Sequence, residues 1–428
     1  MTLLFGFILL IILLLASVPI FVSIGLTALF LLLTGPAPIT NWLMVLGQVP
    51  ISGVDSFVLI SAPFFMLAGE LMNTGGMTKR IFRLAEAMVG WWPGSLGQVC
   101  IVASMIFAGM TGSAVSEAGG LGLIEIKAMI ERGYNRRFAA SITSAAAIIG
   151  PIIPPSIPMV IYASLVNESV KDLFLAGVIP GLLMGVALMI SVFFYAKSGA
   201  CPSPSNFSMK ELFSSLKEGI LPMLSPVLII MGIYKGIFTP TEASLFAVTY
   251  SLVIAGLVYR ELSWENILQA LKKTVVFSGS IFLIVAVTAL FGWSISRHGY
   301  IDNLNQWILT MNPSPIGFVL IMVVVLLVLG CFMEPIGALI LITPLIFPTL
   351  KALHINLVYF GLIMVLTLMI GLLTPPVGLV LYIISKIAEV KFSELVIGII
   401  PYLLTLLIIL FVVTIFPDLV LFLPNALK

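Results

Sequence analysis

The chain carries one set of helix-breaking residues twice, 221 positions apart. Gly150, Pro154, Pro155, Gly177 and Pro180 align with Gly371, Pro375, Pro376, Gly398 and Pro401, and Gly109 and Ser113 align with Gly330 and Glu334 at that same offset of 221. Gly69 and Gly76 recur as Gly292 and Gly299, two residues out of step. Around these residues the chain is 61% hydrophobic and only 9% charged, where soluble domains carry about 25% charged residues. Apolar runs of about 20 residues recur from end to end, enough to cross a ~30 Å hydrocarbon core. Matched interruptions in the two halves of such a chain point to a transporter built from repeats, with its site at the broken helices. The net charge of +2 points to no nucleic acid or acidic partner.

The predicted fold is an all-α polytopic membrane protein. Residues 1–54 form an N-terminal span, bent at Pro19, and an amphipathic connector over about 38–50. Residues 55–197 form a first repeat: a span over 56–72, an interfacial helix over 76–90, a hairpin over about 95–129, a broken helix over about 138–167 and a span over 172–197. A polar linker (198–217) and two connecting spans follow, to residue 274. The second repeat, 275–428, has a span to about Ser294, an interfacial helix over 300–311, a hairpin over about 315–350, a broken helix over about 356–389 and a last span over 393–426. The N-terminus has no basic stretch before its apolar run and is too long for a cleaved signal peptide, so it reads as a span. Cys100, Cys201 and Cys331 show no pairing pattern; Cys100 and Cys331 read as small buried hydrophobes.

Charge orients these spans. If residues 95–129 form a hairpin, Lys79, Arg80, Arg83, Lys127, Arg132, Arg136, Arg137, Lys197, Lys210, Lys217, Arg260, Lys272, Lys273, Lys386 and Lys391 share one side. Lys171, Lys235, Arg297, Lys351 and Lys428 lie opposite, so fifteen basic residues face five. The positive-inside rule makes the first side cytoplasmic. The N-terminus is then cytoplasmic, the C-terminus is on the outer face, and the two repeats are inverted.

The breaks are where chemistry is expected. Lipid satisfies no backbone group, and proline removes a donor and clashes with the preceding turn. Carbonyls freed at the end of a first half-helix suit a hard cation, and N–H groups at the start of a second half-helix suit an anion. Ser113 lies within a Gly-rich break and Ser156 follows Pro155, where its hydroxyl suits a cap, a ligand or both. Glu334 is an ionisable group at membrane depth and a functional candidate for that reason. Glu117 reads as weaker, in a Ser/Gly-rich stretch that water reaches. Glu70 and Glu242 read as structural groups near span ends, and His298 and His354 as interfacial residues outside any metal cluster.

These same segments resemble the large membrane subunit of TRAP transporters (tripartite ATP-independent periplasmic transporters), the DctM-like family. The resemblance is carried by Gly109-Met-Thr-Gly-Ser113-Ala-Val, by Arg132-Gly-Tyr-Asn-Arg136-Arg-Phe-Ala, by the run from Ile149 to Tyr162, by Leu175 to Gly185, by Pro240-Thr-Glu-Ala243 and by Leu373-Thr-Pro-Pro-Val-Gly378. It covers essentially the whole chain. It implies sodium-driven import of an organic acid across the bacterial inner membrane. The implied partners are a separate small four-helix membrane subunit and a periplasmic substrate-binding protein. It also implies an elevator-type fold with two re-entrant hairpins. Residue by residue, it implies a first sodium site at Gly112, Ser113, Gly150, Ile153 and Pro154, and a second at Gly330, Gly371, Thr374 and Pro375. Substrate would lie near Ser113, Ser156 and Glu334. The family commonly carries Asp where this chain has Glu117 and Glu334, so the charge is kept on a longer arm and the substrate class stays open among C4-dicarboxylates, sialic acid, keto acids and sugar acids.

Three other readings compete. A membrane-embedded enzyme needs a base beside its nucleophile, and Ser113 has no histidine at membrane depth. A passive anion channel needs a continuous polar pore. A standalone sodium/anion symporter of the related divalent-anion family shares the architecture but uses no binding protein.

Overall fold

The computed structural model describes residues 2–427 apart from Ser17, 35–41, Ser205 and His298. The start of the predicted connector, His298 and Lys428 lie outside the described residues. Among the described residues the structure is all-helical, and seven helices are long and apolar enough to cross a membrane.

The bend predicted at Pro19 separates helices Thr2–Leu15 and Ile20–Thr34. Together with Trp42–Val54 and Ser61–Thr74, the second of these packs along a 34-residue helix, Trp264–Arg297. Helix Pro240–Leu252 packs on Ser61–Thr74, and Met209–Tyr234 packs on the amphipathic helix Met77–Val89. Gly76 (φ 78°) and Gly299 (φ 66°) are left-handed residues that open the two amphipathic helices Met77–Val89 and Tyr300–Thr310. That is the backbone state glycine adopts without a Cβ penalty, so the out-of-step glycine pair marks one local structure used twice.

The remaining helices form the body that holds the breaks. Helix Leu96–Thr111 turns at Gly112 (φ 56°) into Ala114–Gly119, and a further break at Gly120 leads into Leu121–Glu131. Its counterpart is simpler. Pro315–Phe332 and Pro335–Ala352 are uninterrupted at 18 residues each and end two residues past the predicted hairpin. The first broken helix runs as Arg136–Ala147 and Ile157–Val166, the second as Leu357–Gly371 and Leu379–Ala388. In both, the first half packs on the helix pair before it in the chain, while the second half packs on the other helix pair. The broken helices lie antiparallel. Tyr162 Oη donates to the Leu357 carbonyl (2.9 Å), joining the end of the first to the start of the second. Arg136 Nη1 donates to the Ala388 carbonyl (3.1 Å) and Glu389 Oε2 (2.8 Å), joining the other two ends. Gly361 makes this approach possible, since a Cβ there would lie 2.3 Å from the Tyr162 ring.

Three boundaries differ from expectation. Met209–Tyr234 begins inside the predicted polar linker, because Ser208 caps it by accepting the Glu211 N–H. Trp264–Arg297 begins eleven residues before position 275. The last span divides at Phe416 into Phe392–Ile415 and Pro417–Ala426.

Candidate functional site

Both turns and both breaks meet at one point. Gly112, Ser113, Ala114 and Val115 from the first turn, Pro151, Ile157 and Pro158 from the first break, Glu334, Pro335 and Ile336 from the second turn, and Met369 and Leu372 beside the second break line a single cavity. Residues 221 positions apart in sequence, Ser113 and Glu334, thus share one wall-to-wall space. Its volume is about 20 Å³, room for about one water molecule and far below the ~300–1,000 Å³ of typical ligand pockets. In this conformation the turns and breaks leave only a water-sized space between them. A larger hollow of about 470 Å³ lies between Trp92, Gln98 and helix Val170–Tyr195. Its walls are almost wholly apolar, so it offers nothing to an ion, and the smaller cavity is where the chemistry converges.

The two turns are built alike. Ser113 and Glu334 are each the N-cap of the helix that follows: Ser113 Oγ accepts the Ser116 N–H (3.4 Å) and Glu334 Oε2 accepts the Gly337 N–H (3.0 Å). A cap satisfies a donor that the first helical turn leaves unpaired. In Glu334 the carboxylate does this while still lining the cavity.

The predicted cation ligands fall into two groups. At the first break, a Cβ on Gly112 would lie 2.6 Å from the Pro155 carbonyl oxygen and 3.2 Å from Ser156 Cα, so the turn rests directly on the break. A Cβ on Gly109 would lie 3.5 Å from the Pro154 carbonyl oxygen. Gly112, Ser113 and Pro154 are therefore gathered, and Gly150 joins them through Glu117, whose Oε2 lies 2.1 Å from where a Gly150 Cβ would be. The Ile153 side chain points away from them, against Gly181, while its backbone belongs to the break. At the second break, Gly330 and Gly371 touch backbone to backbone: a Cβ on Gly371 would lie 2.6 Å from Gly330 Cα. Thr374 is adjacent, its Oγ1 donating to the Ile370 carbonyl (3.0 Å) and its N–H to the Gly371 carbonyl (3.0 Å). Pro375 and Pro376 are exposed. Both Pro-Pro bonds are cis.

Ser156 differs from the other candidates. It is fully buried, its Oγ accepts the Met159 N–H (3.3 Å), and it stands behind Ile157 and Pro158 rather than on the cavity wall. Its role as a cap is therefore visible in this conformation.

Two expectations need correction. Glu117 is not water-accessible: it is 1% exposed, and neither carboxylate oxygen has a hydrogen-bond partner. It lies against Gly150 because residues 114–119 wind into a helical turn that points it inward. Cys100 is buried as expected but is not merely a hydrophobe, since its thiol donates to Glu125 Oε2 (2.9 Å). Glu125 itself is a buried carboxylate in the first helix pair that the linear sequence did not single out. His354 sits in the turn after Pro335–Ala352, and Glu242 completes a capping box with Thr239, both in keeping with structural roles.

Membrane-length helices whose breaks converge on one cavity are the architecture of a membrane transporter. The sequence pattern of the DctM component of tripartite ATP-independent periplasmic transporters matches residues 7–419, and the chain belongs to that family. It is 42% identical over 414 residues to the sialic acid TRAP transporter large permease protein SiaM of Vibrio cholerae, covering 96% of each chain. It is 36% identical to the C4-dicarboxylate TRAP transporter large permease protein DctM of Pseudomonas aeruginosa, covering 94% of each. Its fold is similar to that of the YdaH transporter of Alcanivorax borkumensis (TM-score 0.68, 13% identity, 93% and 97% of the two chains). These relatives are transporter permeases, and the reading as a membrane-embedded enzyme falls away.

Proposed function

We propose that this chain is the large permease of a sodium-driven importer for an organic-acid anion in the bacterial inner membrane. The observation that carries the reading is the convergence of both turns and both breaks on one cavity. The helix starts after both turns and after the first break, and the end of helix Leu357–Gly371, face this one space and supply N–H groups for a carboxylate and carbonyls for cations. One sodium ion is held by Gly112, Ser113, Gly150, Ile153 and Pro154, with the buried Glu117 carboxylate offsetting its charge. A second is held by Gly330, Gly371, Thr374 and Pro375. The substrate lies between Ser113 and Glu334, and Ser156 reaches it once the cavity widens. The helix pairs act as re-entrant hairpins and move with the broken helices as one elevator body against the remaining helices. The partners are a small four-helix membrane subunit and a periplasmic binding protein. The organic-acid class follows the relatives, whose names give sialic acid and C4-dicarboxylates as cargo.

Uptake by the reconstituted complex is expected to require an inward sodium gradient and the binding protein together. Uptake driven equally well by a potassium or proton gradient alone would sink the sodium coupling. Sodium-driven uptake without any binding protein would favour the standalone symporter instead.

The orientation has its own test. With the N-terminus cytoplasmic, a cysteine placed at Lys210 is expected to be shielded from an impermeant thiol reagent added outside the cell. A cysteine at the exposed Asn425 is expected to react. The reverse pattern would invert the topology and with it the side from which each hairpin enters.

A further inference from the structure

A chain of polar contacts leads away from the first turn and ends outside the site. The Ser116 N–H is donated to Ser113 Oγ (3.4 Å), and Ser116 Oγ donates to Glu70 Oε1 (3.3 Å). Lys273 Nζ donates to the other carboxylate oxygen, Glu70 Oε2, at 2.9 Å. The three side chains come from separate helices: Ser116 from Ala114–Gly119, Glu70 from Ser61–Thr74 and Lys273 from Trp264–Arg297. Asn73, near the end of the Glu70 helix, closes on the same turn, its Nδ2 lying 2.5 Å from where a Cβ on Gly120 would be.

The electrostatics make this arrangement directional. The Glu70 side chain is 6% exposed and that of Lys273 is 58% exposed. A carboxylate so buried stays charged only with a cation against it, and Lys273 is that cation. Charged Glu70 is an acceptor only, so the Ser116 hydroxyl is obliged to donate toward it. That anchors the turn of helix on which Ser113 sits. The pair joins two helices outside the breaks to the turn that carries Ser113.

We propose that Glu70, held by Lys273, is a positioning residue for the first hairpin tip: a latch that fixes Ser113 in this conformation and releases when the tip moves. The inference rests on the reading above that the tip is mobile, and its test separates the two.

The reporter is a cysteine at Val115, which is exposed in this conformation at 36%. It is placed in the full-length chain with Cys201 changed to Ser, since Cys100 and Cys331 are already buried. The variants are reconstituted in lipid nanodiscs, where a maleimide reaches both faces. Its labelling rate is read with and without sodium chloride. Ser116→Ala and Glu70→Gln are each expected to slow labelling at least fivefold, because the tip leaves the conformation that exposes position 115. Ser116→Thr and Lys273→Arg keep donor and charge and are expected to stay within twofold of the parent. The double change Glu70→Leu with Lys273→Leu leaves no unpaired charge but gives Ser116 no hydrogen-bond partner, so it is expected to remain slow. Sodium-sensitive labelling in the parent that Ser116→Ala leaves unchanged would overturn the latch alone. Parent-like labelling in the double leucine variant, or a Ser116→Thr variant as slow as Ser116→Ala, would also overturn it by reducing the contact to charge or packing. Labelling indifferent to sodium and to every variant would overturn the mobile tip as well.

Discussion

Gly371→Ala is expected to lower initial uptake by about a hundredfold. The added Cβ would fall 2.6 Å from Gly330 Cα and 2.7 Å from its carbonyl carbon. Both are backbone atoms of a packed helix, so no side chain can swing aside. Helices Pro315–Phe332 and Leu357–Gly371 have to separate at the point where the second turn meets the second break. Overpacking of this kind costs about 1–3 kcal/mol and sometimes more, and ~3 kcal/mol taken from the productive arrangement is about a hundredfold. Gly279→Ala is the control, since nothing lies within 4 Å of its Cβ position. It is expected to be neutral or slightly stabilising, as alanine is favoured over glycine in a helix interior. Uptake assays and thermal unfolding of both purified variants check this. A Gly371→Ala protein that transports like the parent would show that the crossing is not part of the working site.

Glu334→Gln is expected to cut transport tenfold or more and to raise the sodium concentration needed for half-maximal uptake. The substitution separates two roles of one side chain. Glutamine keeps a carbonyl oxygen for the Gly337 N–H that Glu334 caps at 3.0 Å, so the helix start survives. The charge does not survive, and hydrogen bonds to charged groups are worth ~1.5–3 kcal/mol. A full negative charge beside an anionic substrate is tolerable only if it accepts from substrate hydroxyls or an ammonium, or faces a neighbouring cation; Gly330, four residues earlier, would bring the second proposed sodium site within reach. Ser113→Ala removes a neutral hydroxyl and is expected to cost only ~1 kcal/mol, roughly fivefold. If Glu334→Gln inserts normally and transports like the parent, its charge has no part in the mechanism.

The breaks were legible because their signal is local. Proline and glycine act on their own turn of backbone, so both broken helices fall within about two residues of expectation, and the matched spacing placed Ser113 and Glu334 as equivalents before any contact was known. Other features depend on partners far away in sequence. Glu70 reads as a span-end residue until Lys273, 203 residues on, is seen against it. Glu117 reads as solvated until Gly150 covers it. Some differences did have a local signal. Ser208 and Glu211 have the spacing of a helix N-terminus and foretell the early start of Met209–Tyr234. The start of Trp264–Arg297 was hidden because Lys272 and Lys273 resemble a linker, and the further break at Gly120 in the first helix pair because one glycine among several small residues does not stand out.

The crossed packing of the broken helices bears on how the protein can assemble. Each second half-helix finds its partner surface in the other half of the chain, and the end-to-end bonds of Tyr162 to Leu357 and Arg136 to Ala388 close the exchange. Neither half encloses a finished interior by itself. The two halves stand to each other as the subunits of an intertwined dimer that one peptide strand happens to join. Between the two repeats lie helices Met209–Tyr234 and Pro240–Leu252, which pack mainly on Met77–Val89 and Ser61–Thr74, so the union of the halves rests on the interlocked helices. During synthesis the first half must therefore wait, with its inner faces uncovered, until residues 357–388 emerge to complete it.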